Sequence, residues 1–427
     1  MKRKRWYGSA LLLVFGLLLG GCAGTEWLEQ PPRDFAVTNQ SPGSREEEEG
    51  LAGSGAAEDP SVGEPSVEET EEEPTVCFLR EEAFEYAGQS LDETGRLWYE
   101  EMKQILGGFG AGVRLDDSGL EAGFDEEDID RIFQCVLIDH PELFYVEGYS
   151  YTKYTRGERT TAIEFSGSYS VDPETAQIRM EEIEAAAEEI LSGLEENADQ
   201  YTRVKYVYDT IIRNTDYDLT APDNQNIYSV FVNRRSVCQG YAKATQYLLN
   251  RLGVECTLVL GTVDTGEGHA WNLVRVDGSY YYVDTTWGDA SYRMEGGGEE
   301  AADMPQINYD YLNVTTAELL KTHSLGDSIP LPVCIDTSAN YYYREGALFS
   351  FYDREQLERL FERAREQGRE DVTVKCADQA CYEEVTDRLI GQQEIFDFLG
   401  ETGGAVAYAQ NGNQLSLTFW VTNDQGM

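Results

Sequence analysis

The sequence predicts an α+β fold, in which helices and antiparallel strands occupy successive parts of the chain. Three features support this prediction. Apolar residues recur at helical spacing between residues 125 and 140, as on one face of an amphipathic helix. Two strand-like runs flank Asp277-Gly278, a dipeptide that favours a tight β-hairpin turn. Beyond Pro332, short strand-like and helix-like stretches alternate, which predicts a small α+β domain at the C-terminal end.

The first 21 residues are typical of a signal peptide. The basic stretch Lys2–Arg5 precedes an apolar run, Ala10–Leu19, which is too short to span a bilayer but suits the core of a signal peptide. The following Leu19-Gly20-Gly21-Cys22 resembles a bacterial lipobox, which implies cleavage before Cys22 and lipidation of its sulfur. Several acyl chains, each contributing about 0.8 kcal/mol per buried methylene, would make Cys22 a durable anchor. An ordinary signal peptide with a chance cysteine is the alternative.

Residues 22–75 are rich in Glu, Gly, Ser and Pro and are predicted to be a disordered acidic tether, since low hydrophobicity with charge of one sign prevents collapse. The whole chain has 79 acidic and 33 basic residues, a formal net charge of −46. Such a chain repels nucleic-acid phosphates and bare anionic lipid head groups. We therefore expect no nucleic-acid partner, and a protein held outside the cytoplasm, in the bacterial cell envelope, by a lipid anchor.

Three folded regions are predicted after the tether: an N-terminal α+β region over residues 76–204, a core over 205–330 and a C-terminal α+β domain over 331–427. In the first region we expect a helix over 125–140, stopped by Pro141, followed by strands over 143–146 and 161–165 and by helices over 173–196 and 198–213. In the last we expect strands over 341–351 and 371–376, helices over 354–367 and 379–392, and a hairpin of 405–409 with 414–421.

Cys238 stands where a helix is predicted to begin. Ser236, with Gln239 three residues later, fits a capping box at the start of a helix that ends before Gly253. Cys238 would then lie in the first turn, where backbone N–H groups and the helix dipole stabilise a thiolate or an oxyanion. A buried structural cysteine under a helix cap is the alternative.

His269 and Asp284 lie on the two predicted strands of the Asp277-Gly278 hairpin. A two-residue turn pairs Val276 with Ser279, which would place His269 opposite Thr286 and Trp271 opposite Asp284. His269 and Asp284 become diagonal neighbours on one face, about 7–8 Å apart at the backbone, a gap that an imidazole and a carboxylate can bridge. In a Cys-His-Asp arrangement the imidazole takes the thiol proton while the carboxylate orients the imidazole.

The combined pattern resembles the transglutaminase-like superfamily in its bacterial form. The resemblance covers residues 205–325 and rests on four blocks in this order: Val237-Cys-Gln-Gly-Tyr-Ala242, Gly253-Val-Glu-Cys-Thr-Leu-Val-Leu-Gly261, Gly268-His-Ala-Trp-Asn272 and Tyr282-Val-Asp-Thr-Thr-Trp287. It implies a papain-like α+β core with the nucleophile helix packed on an antiparallel sheet. It also implies Cys238 as nucleophile, His269 as base and Asp284 as the residue that orients the base.

The resemblance implies a thiol enzyme that attacks peptide-type amides through a thioester and releases the product by hydrolysis, with peptides or proteins of the envelope as substrates. Two alternatives stay open: a crosslinking acyltransferase, and a non-catalytic module that binds envelope peptides. Gln239 and Tyr228 are candidate oxyanion or substrate contacts, and Trp271 either contacts substrate or packs in the core.

No cofactor or metal site is predicted, because the chain has only three histidines and no Cys-x-x-Cys spacing. His140 is expected to end a helix before Pro141, and His323 to end a helix over residues 316–322; neither is assigned to the site. Cys376 and Cys381 are near enough in sequence to form a disulfide, and a reduced structural pair is equally consistent with their spacing.

Overall fold

The computed structural model describes residues 2–6, 79, 84–156, 159–289, 305–399 and 405–422. Cys22 and the predicted acidic tether over residues 22–75 lie outside the described residues, as does the apolar run of the predicted signal peptide. Among the helices that are described, none is both long enough and apolar enough to cross a membrane.

Strands and helices are interspersed along the described chain. The strands are β1 (Lys2–Trp6), β2 (Val113–Arg114), β3 (Val146–Arg156), β4 (Arg159–Tyr169), β5 (Asp216–Tyr217), β6 (Arg235–Ser236), β7 (Cys256–Val263), β8 (Gly268–Val276), β9 (Ser279–Val283), β10 (His323–Leu325), β11 (Leu348–Phe349), β12 (Asp371–Cys376), β13 (Ala405–Asn411) and β14 (Ser416–Thr422). The helices are α1 (Tyr86–Gln89), α2 (Glu93–Gly107), α3 (Ser118–Ala122), α4 (Glu126–Asp139), α5 (Pro173–Ser192), α6 (Gln200–Asn214), α7 (Cys238–Arg251), α8 (Thr285–Gly288), α9 (Thr316–Leu319), α10 (Tyr341–Arg344), α11 (Arg354–Glu366) and α12 (Gln379–Thr386).

The N-terminal region contains an antiparallel sheet with the strand order β1-β3-β4-β2. The predicted helix before Pro141 is confirmed as α4, which begins at a capping box formed by Asp125 and Asp128. The strand predicted over residues 143–146 is wrong for its first three positions, because residues 143–145 are buried in a turn and β3 begins only at Val146. The predicted helices that follow are confirmed as α5 and α6.

The core sheet is antiparallel, with the strand order β10-β7-β8-β9. The predicted hairpin is confirmed: Val276 pairs with Ser279, and the register continues to the pair of Asn272 with Val283. Asp277 and Gly278 have φ values of 50° and 90°, as a type I′ turn requires at both central positions.

Helix α7 packs on the face of this sheet formed by alternate residues of β8. Asn272 donates a hydrogen bond from Nδ2 to the carbonyl of Ala242, at 2.9 Å, and ties the strand to the helix. The opposite face of β8 contributes Trp271 and Leu273 to a second, smaller apolar cluster with Tyr282. The α+β fold class is therefore confirmed, with a helix that begins at Cys238 packed on an antiparallel sheet.

The C-terminal region has a sheet with the strand order β11-β12-β14-β13, and α11 and α12 are helices of the same region. The predictions for α11, β12 and the final hairpin are confirmed. The strand predicted over residues 341–351 is wrong: Tyr341–Arg344 is a helical turn, and only Leu348–Phe349 is strand. The three consecutive tyrosines favoured a strand in the sequence, but Asn340 caps a helical turn instead. Its side chain accepts hydrogen bonds from the backbone N–H groups of Tyr342 and Tyr343.

Candidate active site

Cys238 is the first residue of α7, preceded by the N-cap residue Val237. The predicted capping box is wrong, because the Ser236 hydroxyl donates to the carbonyl of Asn224 at 2.7 Å and lies 2.6 Å from the hydroxyl of Ser229. Val237 has no side-chain acceptor with which to replace it. The position of Cys238 in the first turn is nevertheless as expected, and the helix start is left with backbone N–H groups that favour an anion.

His269 lies near the start of β8, opposite Gly261 of β7. The residue is only 7% exposed. Nε2 lies 2.8 Å from Oδ2 of Asp284, and the side chain of Cys238 is close enough to the ring to raise its pKa. Since Nε2 is occupied by the carboxylate, Nδ1 is the ring nitrogen left for the sulfur. The ring therefore connects Cys238 to Asp284.

Asp284 follows β9 directly and caps α8. Its Oδ1 accepts hydrogen bonds from the backbone N–H groups of Thr286, at 2.9 Å, and Trp287, at 3.0 Å. The sequence predicted that the strand would continue and pair His269 with Thr286, which is wrong because β9 ends at Val283 and the chain turns into α8. The cap orients the carboxylate, so Oδ2 points to His269 although the expected cross-strand neighbours are not formed.

His323 is a member of the site that the sequence did not predict. The helix expected to end beside it stops at Leu319, and His323 begins β10, where it pairs with Val263. Its Nε2 lies 3.1 Å from Oδ2 of Asp284, the oxygen that His269 also contacts. The alternation His323-Ser324-Leu325 was the sole strand signal in the sequence, and three residues are too few to distinguish a strand from the end of a helix.

The three groups carry different charges at neutral pH. Burial opposes a charge on His269, but the carboxylate of Asp284 and the nearby side chain of Cys238 outweigh it and raise the pKa of His269 to about 10. Burial alone would raise the pKa of Asp284, yet the two histidines hold it well below its usual range. Burial and the nearby His269 lower the pKa of His323. The site is therefore an imidazolium, a carboxylate and a neutral imidazole.

Aromatic rings surround the two histidines. Trp271 stacks on His269 with ring centroids 5.8 Å apart and meets His323 edge-on at 5.0 Å. Trp287 lies 6.1 Å from His269 and 4.8 Å from His323. Trp271 is fully buried, so in this structure it packs against the imidazoles inside the protein. This apolar enclosure strengthens the interactions between the charged groups.

Gln239 and Tyr228, the remaining candidate contacts for oxyanion or substrate, have different surroundings. Gln239 is the second residue of α7 and is partly exposed, beside Cys238. Tyr228 directs its hydroxyl to the Glu182 carboxylate of α5, at 2.8 Å, and its ring lies under the Arg179 guanidinium at 4.7 Å. The Tyr228 hydroxyl proton is thus engaged on α5.

His269, Asp284 and His323 offer three ligand atoms within 4.8 Å of one another, a spacing that a metal ion tolerates. The same atoms are already paired, however, because both Nε2 atoms lie within hydrogen-bonding distance of one carboxylate oxygen. Hydrogen bonding thus accounts for the arrangement without an ion.

Three residues of the candidate site lie in a segment of the chain that is similar to a known protein family. The model of the transglutaminase-like superfamily matches residues 184–285, a segment that contains Cys238, His269 and Asp284 but not His323. The kyphoscoliosis peptidase of Homo sapiens is 27% identical over 118 residues, which are 24% of this chain and 18% of that protein. The mouse (Mus musculus) protein of the same name is 26% identical over 123 residues, 25% of this chain and 19% of that protein.

The chain therefore spans less than a fifth of the length of these curated relatives. Among solved structures, the crystal structure of a TGase is similar over 38% of this chain and 48% of that chain, with 15% identity and a TM-score of 0.24.

Proposed function

Because residues 184–285 form a transglutaminase-like superfamily domain, we propose that the chain is a thiol enzyme that attacks peptide-type amides and hydrolyses them. The observation that carries this proposal is the series of neighbouring side chains from Asp284 through His269 to Cys238. Nε2 of His269 lies 2.8 Å from the Asp284 carboxylate, and the side chain of Cys238, at the first turn of α7, is close enough to the ring to raise its pKa.

In the acylation step, Nδ1 of His269 holds the proton of the Cys238 thiol, and the sulfur attacks the carbonyl carbon of the amide. A C–S bond forms, and the carbonyl oxygen becomes an oxyanion beside the N–H groups at the start of α7. The C–N bond then breaks as His269 returns its proton to the leaving amine. The products of this step are a thioester on Cys238 and a free amine.

In the deacylation step, His269 takes a proton from water, and the resulting hydroxide attacks the thioester carbon. The C–S bond breaks, a carboxylic acid leaves, and the proton on His269 returns to the sulfur. Hydrolysis is the simplest outcome, because water is the acyl acceptor unless a site excludes it. The name of the curated relatives, which contains the word peptidase, agrees with hydrolysis, although the chain covers a small share of their length.

We place this enzyme at the cell envelope, anchored through a lipidated Cys22 and acting on envelope peptides or proteins. The support is the sequence of residues 1–22, a basic stretch, an apolar run and a lipobox-like end. Removal of residues 1–21 would also remove β1, whose backbone pairs with residues 151–155 of β3. In the mature protein β3 would then be an edge strand.

Alkylation of Cys238 tests whether the pair is activated. At pH 6, wild-type Cys238 should react with iodoacetamide at least about tenfold faster than Cys238 in a His269→Gln variant, because a cationic ring stabilises the thiolate. Cys135→Ala is a matched control, since that buried cysteine lies in α4 and its loss should leave the rate unchanged. Equal rates in wild type and His269→Gln would remove the basis of the proposal.

The products identify the acyl acceptor. The wild type and a Cys238→Ala variant are incubated with a peptide mixture and a labelled primary amine. New carboxylates that require Cys238 support hydrolysis, and incorporation of the label that requires Cys238 supports a transferase. An activated thiol with neither product, under conditions in which peptides are retained by the protein, would favour a binding module.

A further inference from the structure

His323 is a buried histidine that touches the candidate triad without touching its sulfur. Its side chain lies beside Asp284, with Nε2 at 3.1 Å from Oδ2, and the residue is 3% exposed. Trp271, Trp287 and Tyr311 surround the ring with centroids at 5.0, 4.8 and 5.5 Å. A ring enclosed in this way is remote from substrate, so any role in the reaction must pass through Asp284.

The Asp284 carboxylate receives four donors. Two backbone N–H groups reach Oδ1, at 2.9 and 3.0 Å, and the two histidine rings reach Oδ2, at 2.8 and 3.1 Å. A carboxylate offers about four lone-pair sites, so all of its acceptor capacity is used. The carboxylate cannot rotate without breaking at least two hydrogen bonds, and a proton on either oxygen would displace a donor.

The tautomer of His323 follows from its second contact. Nδ1 lies 2.8 Å from Oγ1 of Thr322. Because Oδ2 of Asp284 can only accept, Nε2 of His323 must carry the proton, and in a neutral ring Nδ1 must then accept from Thr322. The Tyr311 hydroxyl lies 3.3 Å from Thr322 Oγ1 and can donate to it. The Thr322 hydroxyl also lies 3.5 Å from the Leu319 carbonyl, so Nδ1 of His323, at 2.8 Å, is the nearer of its two acceptors. With the Thr322 proton directed to Nδ1, each donor in the series Tyr311, Thr322, His323 faces toward Asp284.

We propose that His323 is a positioning residue: a neutral imidazole that donates to Asp284 and holds the carboxylate in the orientation that His269 requires. This inference rests on the proposed function, since it assigns His323 a part in the same reaction. A neutral donor suits this place because a second cation beside the His269 imidazolium would weaken its ion pair with Asp284. The lowered pKa of His323, caused by burial and the nearby His269, agrees with that charge state.

The kinetic test compares two replacements of His323. His323→Gln keeps an amide N–H donor, and His323→Leu keeps the bulk but has no donor. We expect His323→Leu to lower kcat about ten- to hundredfold with little change in KM, because the base is misplaced while substrate binding is unchanged. His323→Gln should recover most of the loss. Thr322→Val removes the donor to Nδ1 and should lower kcat by a smaller factor in the same direction.

The control is His140→Gln, which removes a buried histidine that contacts Glu142 at 2.9 Å in the N-terminal region. It should lower the thermal midpoint without the selective loss of kcat per folded molecule. Wild-type kcat in His323→Leu, or an equal loss in the Leu and Gln variants, would overturn the role of the donated proton.

A spectroscopic test needs no substrate, and it measures the charge and tautomer of His323 in the wild type. The chain has three histidines, so a ¹⁵N-histidine spectrum of the wild type contains three rings, which single variants assign. At pH 7 we expect His323 to be neutral with its proton on Nε2, and His269 to be protonated on both nitrogens. A cationic His323, or a proton on its Nδ1, would contradict the inference.

The two tests separate this inference from the proposed function. If the wild type turns over no peptide and Cys238 is not activated, the proposed function fails even when His323 shows the expected tautomer. If the wild type is active and His323→Leu is equally active, only the role of His323 fails.

Discussion

Replacement of Asp284 by Asn changes one atom of a buried carboxylate and should remove most of the activity. Asn can still accept the two backbone N–H groups that reach Oδ1, at 2.9 and 3.0 Å. Its amide nitrogen then takes the place of Oδ2 and faces the two Nε2–H groups, at 2.8 and 3.1 Å in the wild type. If the amide is rotated by 180°, its nitrogen instead faces the backbone N–H groups of Thr286 and Trp287, and two donors again face each other.

The expected magnitude follows from this conflict. To relieve it, His269 must give up its Nε2 proton and keep its one remaining proton on Nδ1, so the neutral ring has no base that faces Cys238. The equivalent substitution in serine proteases lowers kcat about 10⁴-fold through the wrong tautomer, and we expect a loss of about 10³- to 10⁴-fold here. Each buried donor left unpaired costs about 1–3 kcal/mol, so after the tautomers shift the free energy of unfolding should fall by about 1–3 kcal/mol.

The assay is kcat normalised to titrated Cys238, with urea unfolding measured on the same samples. The control is Asp336→Asn, which changes a partly exposed carboxylate that accepts hydrogen bonds from Ser279 and Ser338 and should leave kcat unchanged. A loss of less than about tenfold in Asp284→Asn would refute the orienting role of the carboxylate.

The remaining predictions concern pH, packing and anchoring. The folded state raises the pKa of His269 to about 10. The contribution of His269 to the free energy of unfolding should therefore be complete below its unfolded pKa of about 6.5 and be lost as pH rises toward 10. The difference in unfolding free energy between wild type and His269→Gln, measured from pH 5 to 10, should shrink with rising pH, and a difference that grows would contradict this prediction. Gly261→Ala places a Cβ 2.2 Å from the Ser324 carbonyl and 2.5 Å from the Trp271 ring. The substitution should therefore displace β10 and lower both the thermal midpoint and kcat. An unchanged thermal midpoint and kcat would contradict this prediction. Cys22→Ala should release the protein from membranes in a fractionation experiment, and unchanged retention would refute the lipid anchor.

The hairpin shows what local sequence determines. Asp277-Gly278 fixed the turn, and the turn fixed the register as far as Asn272 and Val283, because a two-residue loop allows one alignment of its strands. The sequence could not predict where β9 ends. Tyr282-Val283-Asp284 continues an alternating pattern, and the break depends on a backbone hydrogen bond from Asp284 to Tyr311, a residue distant in sequence.

His323 and Ser236 show what tertiary contacts decide. His323 follows a stretch with helical spacing, and the three-residue strand that it begins exists because β7 pairs with it. Ser236 stands where the local sequence favours a helix cap, but its hydroxyl hydrogen-bonds the carbonyl of Asn224 and the hydroxyl of Ser229 instead. In both cases a distant partner outweighed a local propensity of about 1 kcal/mol or less. Cys238, His269 and Asp284 could be named as candidates because four sequence blocks occur together in one order, although the capping box and the strand pairing expected around them were wrong.

Acid-quenched mass spectrometry of the intact protein during turnover of a peptide mixture tests the central claim most directly. We expect a peptide-acyl adduct on Cys238 that hydroxylamine cleaves, as it cleaves a thioester. The adduct should decay to carboxylate product and be absent in Cys238→Ala. Products formed at the same rate by wild type and Cys238→Ala, with no adduct on the sulfur, would contradict it.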